Sequence, residues 1–217
     1  MPNNPLDFRK YTKYNAITMK KIETIWHYIL WSALEKGVFK HTQKELSKLF
    51  GYSLSTVNLA LHVPTQIGAV KKTSKFFTVF DFKKFLYLYA SCRNLQKDII
   101  YQTNLSVPVM EIEGLVPSQS IYACYSAARH VFKEPPADYS KVYVYLEEEH
   151  LPKIFKRFGK NNDKNPNFFI LKMHGTMKKY GNITTVPQTF ADIWNLSDWY
   201  SRDFILALEE KIDGILS

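Results

Sequence analysis

Between Thr18 and Lys36 the apolar residues Ile22, Ile25, Trp26, Ile29 and Ala33 recur at the three-and-four spacing of one helix face, and Gly37 closes the segment. Thr42-Gln-Lys-Glu45 then carries the Ser/Thr-x-x-Glu pattern of a capping box, which predicts a short helix over Gln43 to Phe50 with Leu46, Leu49 and Phe50 on its apolar side. Gly51 supplies a tight turn. Ser53 caps a third helix from Leu54 to about His62, with Val57, Ala60 and Leu61 facing inward, and Pro64 is expected to cut it short by removing an N–H and crowding the turn before it. Ile67 to Val70 and Phe76 to Phe80 are β-rich segments around the polar tip Lys71 to Lys75, a hairpin signature. Asp81 caps a fourth helix with Phe82, Phe85, Leu86 and Tyr89 on one side.

Beyond Arg93 the pattern mixes periods. Lys97 to Tyr101 and Val107 to Ile112 read as strands, and Pro117 to Phe132 as a helix with Ile121, Cys124, Ala128 and Val131 at helical spacing. Lys141 to Leu146 alternates Val, Val and Leu against two tyrosines, a strand. A helix over Glu149 to Phe158, a strand over Asn167 to Met173, a short strand over Ile183 to Val186, a helix opened by Pro187 and a closing helix from Trp199 to Leu216 complete the reading. The fold class expected is α+β, with a mixed α/β domain of residues 98–217 following an N-terminal domain of residues 1–97.

Composition supports a packed protein: 46% of the 217 residues are hydrophobic, 15% aromatic and 23% charged. No apolar run is long enough for a membrane span and the first ten residues lack a signal-type hydrophobic stretch, so a cytoplasmic location without membrane contact is expected. Cys92 and Cys124 form neither a disulfide framework nor a zinc ribbon pattern, and both read as small core residues. Charge is unevenly spread: residues 1–97 hold 16 Lys and Arg against 5 Asp and Glu, whereas residues 98–217 hold 13 against 15. A basic half beside a nearly neutral one suits a nucleic-acid-binding module joined to a domain with another task, the alternative being a solubilising surface.

The order helix, helix-turn-helix, hairpin, helix over residues 18 to 97 resembles the winged helix-turn-helix of bacterial and archaeal transcription regulators. The resemblance implies a recognition helix entering the major groove and a wing touching phosphates or the minor groove of double-stranded DNA. Ser55, Thr56 and Asn58 then become candidates for base edges and phosphates, Asn58 through bidentate pairing with adenine, although Ser55 and Thr56 equally serve helix initiation. Lys71, Lys72 and Lys75 on the wing, with Gln43 and Lys44 on the preceding helix, suit phosphates, against the alternative of solvated side chains. Leu59 and His62 stand where such helices often carry Arg, Lys or Gln, with thymine-methyl contact one option for Leu59. His27, His41 and His62 have no partner at metal-ligand spacing and read as single core or surface histidines.

Ile121-Tyr-Ala-Cys-Tyr-Ser-Ala-Ala-Arg129, Val142-Tyr-Val-Tyr145 and Val186-Pro-Gln-Thr-Phe-Ala-Asp-Ile-Trp-Asn195, in that order after a winged helix, resemble the C-terminal domain of AbiEi-type antitoxins. That resemblance implies operator binding and repression of its own operon, with a nucleotidyltransferase-type toxin as partner. The second domain is expected to supply dimerisation, partner binding or sensing, with no catalysis, metal or cofactor. The rival class is a nucleic-acid-processing enzyme, nucleotidyltransferase-like or a nuclease, delivered by the basic half. Against it, the nine aspartates include no Asp-x-Asp and the phosphate-cradling glycine pattern is missing. Glu111/Glu113 and Glu147/Glu149 are the two Glu-x-Glu pairs, more simply read as solvated or helix-starting acids. Trp194, Trp199 and Tyr200 are expected to pack a helix junction, with a ligand platform or an interface as alternatives.

Overall fold

The computed structural model describes residues 16–161 and 164–217, with the chain dividing into two compact units between Phe85 and Leu86. In the first unit the order is α1 (Ala16–Lys36), β1 (Lys40–His41), α2 (Gln43–Phe50), α3 (Leu54–Gln66), β2 (Val70–Lys72), β3 (Phe77–Val79) and the start of α4 (Phe82–Cys92). The three strands form an antiparallel sheet ordered β1-β3-β2. Ile22, Ile25, Trp26 and Ile29 of α1, Leu46 of α2, Val57, Ala60 and Leu61 of α3, and Val70, Phe77 and Val79 of the sheet are all buried, so each element turns one apolar face inward.

The local signals operate as read. Thr42 and Glu45 form the reciprocal capping box of α2, Gly51 takes the left-handed conformation at φ 64° that ends it, and Ser53 Oγ accepts from the Thr56 N–H to start α3. Asp81 Oδ1 accepts from the Lys84 N–H at the head of α4. The expectation about Pro64 is overturned, because α3 continues to Gln66 with Pro64 buried inside it. A proline at that place deprives the Ala60 carbonyl of its helical donor, and the Trp26 indole N–H supplies one at 2.6 Å instead.

The second unit contains β4 (Ile99–Thr103), α5 (Val109–Leu115), β5 (Ile121–Ala123), α6 (Cys124–Phe132), β6 (Val142–Leu146), α7 (Leu151–Phe158), β7 (Phe168–Lys172), α8 (Val186–Trp194) and α9 (Ser201–Leu216). Its sheet is ordered β4-β7-β6-β5, parallel between β6 and β7 and antiparallel elsewhere. Tyr101, Ile112, Val142, Val144, Leu146, Ile154, Phe168 and Ile170 form one buried cluster between the sheet, α5 and α7. Every residue of β6 is buried, so the tyrosine face of this strand, Tyr143 and Tyr145, is core as well. Helices and paired strands together make the chain α+β. Among the described residues no helix is long and apolar enough to cross a membrane.

Three expected elements differ. The run from Val107 holds a helix rather than a strand: Pro108 opens it, its carbonyl accepting from the Ile112 N–H, and Val109, Ile112 and Val116 reach the core cluster at helical spacing. The expected helix over Pro117 to Phe132 begins as strand β5, because Ile121 and Ala123 are buried on one side and pair with β6. Cys124, at φ 49°, then turns the chain sharply into α6. Ile183 contributes a single parallel bridge to Tyr122 instead of a strand.

The division also falls before residue 97, for a reason that lies in Arg93. This side chain is buried and donates from Nε to Asp192 at 2.9 Å, from Nη1 to Asp98 at 2.6 Å and from Nη2 to the Tyr145 hydroxyl at 2.7 Å. Tyr145 and Gln188 donate to Asp192 in turn, both at 2.8 Å. Burial pushes the Asp192 carboxyl upward, opposed by Arg93 and these hydrogen bonds. The second half of α4 therefore belongs with residues 98–217.

Stability should respond in two ways. Arg93→Met leaves two buried carboxylates without their cation and should cost about 3–5 kcal/mol in urea unfolding, part of which Asp192→Asn in the same chain should restore. In the first unit, burial pushes the His41 imidazole below its ordinary value of 6.5, against the opposing pull of Glu45 and the Val38 carbonyl. The unfolded chain then binds the proton more readily, so this stability is complete above that value and lost as the pH falls below it. Thermal midpoints should decline from about pH 7 to pH 5, and His41→Phe should flatten the decline.

Candidate nucleic-acid interface

Helix α3 presents Ser55, Asn58 and His62 as an exposed stripe at positions i, i+3 and i+7, while Thr56 and Leu59 are half-buried beside it. The first turn is held by hydroxyls: Ser53 Oγ lies 2.8 Å from Ser55 Oγ and 2.9 Å from Thr56 Oγ1. Ser55 and Thr56 thus contribute to the cap and also line the outward start of the helix. Because α3 passes Pro64, the stripe extends to exposed Thr65 and Gln66, two positions that sequence reasoning omitted. Buried Val63, in step with Val57 and Ala60, was the signal for that extra turn.

The hairpin separates the three wing lysines. Successive strand residues face opposite sides, and Lys72 turns toward α3, where its ammonium donates to Asn58 Oδ1. Lys71 turns to the other face of the sheet, with Nζ 3.1 Å from the centroid of the Phe80 ring. Lys75 is exposed in the tip, whose turn is fixed by Thr73 Oγ1 donating to the Phe76 carbonyl at 2.9 Å. Gln43 and Lys44 sit in the first turn of α2, half-buried and exposed respectively. Of the ten candidate residues, Asn58 with Lys72, and Ser55 with Thr56 through Ser53, are brought together directly.

The acidic pairs of the second unit occupy different settings. Glu113 is buried, accepting from Arg129 at 2.7 Å and from the Tyr139 hydroxyl at 2.6 Å, whereas Glu111 is exposed on α5. Glu147, Glu149 and His150 converge with ligand atoms within 4.8 Å of one another, but the Lys178 ammonium sits 2.6 Å from Glu147. A lysine there neutralises the charge that a cation would use. Lys172 pairs with Glu148 at 2.7 Å. Cys124 is fully buried, which pushes its thiol upward, and Cys92 is half-buried.

Tyr200 is packed inside as expected, with its ring 4.8 Å from that of Tyr125. Trp199 is 78% exposed and Trp194 44%, which overturns the expectation of a packed tryptophan junction. Trp194 keeps one face on Phe190, stacked at 5.9 Å, while Trp199 meets only the edge direction of Tyr200 at 5.3 Å among the ring contacts described.

Compared with known proteins, the chain matches no family model, no curated protein and no solved structure.

The exposure of Trp199 sets a clear expectation. Trp199→Ala should change the unfolding free energy by less than about 0.5 kcal/mol, whereas a loss on the scale of a large core truncation, about 3–5 kcal/mol, would place this ring in the core.

Proposed function

We propose that the chain is a sequence-specific double-stranded DNA-binding transcription regulator, acting in the cytoplasm as an autorepressor of the antitoxin type. In this reading residues 16–85 form a winged helix-turn-helix in which α3 enters the major groove and the β2–β3 hairpin is the wing. The observation that carries it is the Asn58–Lys72 hydrogen bond, which joins the exposed stripe of α3 and the hairpin strand into one polar, cationic surface. The excess of Lys and Arg in this half supplies the field for phosphates. The second unit then dimerises or holds a toxin-like protein partner, and exposed Trp199 offers an anchor for such a contact. One short recognition helix reads few base pairs, so two copies on a two-half-site operator give useful specificity.

The chemistry of the pair refines which base is read. An ammonium only donates, so the atom it meets on Asn58 is the carbonyl oxygen, which keeps one of its two lone pairs while the amide keeps both N–H donors. Adenine requires Asn to accept as well as donate, whereas guanine presents two acceptors, O6 and N7, in the major groove. With one lone pair taken and the oxygen facing a cation, the Asn58–Lys72 unit is a weaker acceptor than Asn58 alone and shifts its preference from adenine toward guanine.

The full chain should retard duplex DNA from a mixed-sequence library at low ionic strength, with affinity falling steeply as salt rises. Asn58→Ala should relax preference at one guanine by about 1–3 kcal/mol. Lys72→Ala should weaken binding overall and move preference at the same position toward adenine, because Oδ1 is released. Absence of any duplex shift would sink the functional reading, and equal losses across all four bases for both variants would remove Asn58 from base readout.

A further inference from the structure

The face of the three-stranded sheet turned away from α3 carries a pattern that duplex recognition does not use. Phe77 and Val79 of the central strand β3 are buried, so Phe76, Thr78 and Phe80 point to the opposite side. Lys40 on β1 and Lys71 on β2 both stand in register with Thr78, one on each flank. Lys40 Nζ lies 3.7 Å from the centroid of the Phe76 ring, and Lys71 Nζ lies 3.1 Å from that of Phe80. Phe80 is 63% exposed although it is large and apolar, and its N–H is fixed to the Ala69 carbonyl at 2.8 Å. Phe76 and Phe80, four residues or about 13 Å apart along an extended chain, thus stand on one sheet face, each with a lysine ammonium over its ring.

We infer that this outer face binds an unpaired stretch of nucleic acid, with bases stacked on Phe76 and Phe80 and the phosphodiester backbone held by Lys40 and Lys71. The ligand must be anionic to answer the lysines and must present flat π-faces to answer the rings. Single strands offer both, and stacking on aromatic side chains accepts any base. Duplex DNA presents base edges in its grooves and keeps its base faces stacked on one another, so it has nothing to place on an open sheet of this kind. An acidic peptide would satisfy the ammonium groups and leave the rings uncovered. When the strand arrives, each lysine exchanges the weak attraction of a ring face for a phosphate, and the ring face becomes available to a base. The inference is independent of the duplex surface, since Lys71 and Lys72 lie on opposite sides of the same strand.

The test uses the full chain and a fluorescein-labelled oligothymidylate of about twelve nucleotides, followed by anisotropy at low salt. The expected result is saturable binding that Phe80→Ala weakens about tenfold or more and Phe80→Trp preserves or tightens. The same variants should change duplex affinity less than about twofold, and Asn58→Ala should leave oligothymidylate binding unchanged, which keeps the two surfaces distinguishable. Thermal melting checks that Phe80→Ala still folds, as its exposure requires. Double substitution of Lys40 and Lys71 by Ala should flatten the salt dependence by about 0.7 for each phosphate that is no longer neutralised. Three results would overturn the inference: no binding by the unaltered chain, equal binding by Phe80→Ala, or displacement of the oligonucleotide by poly-glutamate of equal charge as readily as by unlabelled oligothymidylate.

Discussion

Arg93 donates from three nitrogens to Asp98, Asp192 and Tyr145, groups that the chain brings from a turn, from α8 and from β6, and burial leaves none of them water as a substitute partner. Each element that contributes a group must be in place before the guanidinium is satisfied. Gln188 and Tyr89 add further links through α8 and α4, and Asn195 ties the end of α8 to the Ala90 carbonyl at 3.0 Å. Apolar residues of similar volume could fill the space, but they would not dictate which strand and which helix meet there. The tyrosines of β6, which resemble an exposed polar face in one dimension, are inside because this cluster and the helices around it claim them.

A smaller contact plays the corresponding part in the first unit. Trp26 reaches from α1 to the Ala60 carbonyl, so the rotation of α3 about its own axis is set by a hydrogen bond as well as by Val57, Ala60 and Leu61. That rotation decides which residues face outward. Ser55, Asn58 and His62 are exposed because the positions between them are held down.

How much of this was legible depends on the range of the interaction concerned. Thr42 with Glu45, Gly51, Ser53 and Asp81 act within a turn of their own position, and helices α2, α3 and α4 begin where those residues place them. Pro64 misled because the donor that compensates for it comes from 34 residues away. Val107 to Ile112 misled because short apolar runs suit both periods, and only the core beneath Ile112 chooses between them. The candidate surface was recognisable by residue type, yet the pairing of Asn58 with Lys72 and the placement of Lys71 beside Phe80 depend on strand alternation and on the packing of α3 against the hairpin. The exposure of Trp199 is likewise a property of its neighbours and not of its own letter.

Lys71 and Lys72 are adjacent in the chain but serve opposite sides of a thin sheet. They are the same residue type, yet the two positions answer to different chemistry. Arginine at 71 could keep its contact by laying a planar guanidinium on Phe80, while arginine at 72 would bring a rigid fork of donors to an amide suited to a single ammonium. A one-residue slip of β2 would put Lys72 opposite Thr78 and carry Lys71 to the place of buried Val70, so the register of the strand matters as much as the identity of either lysine.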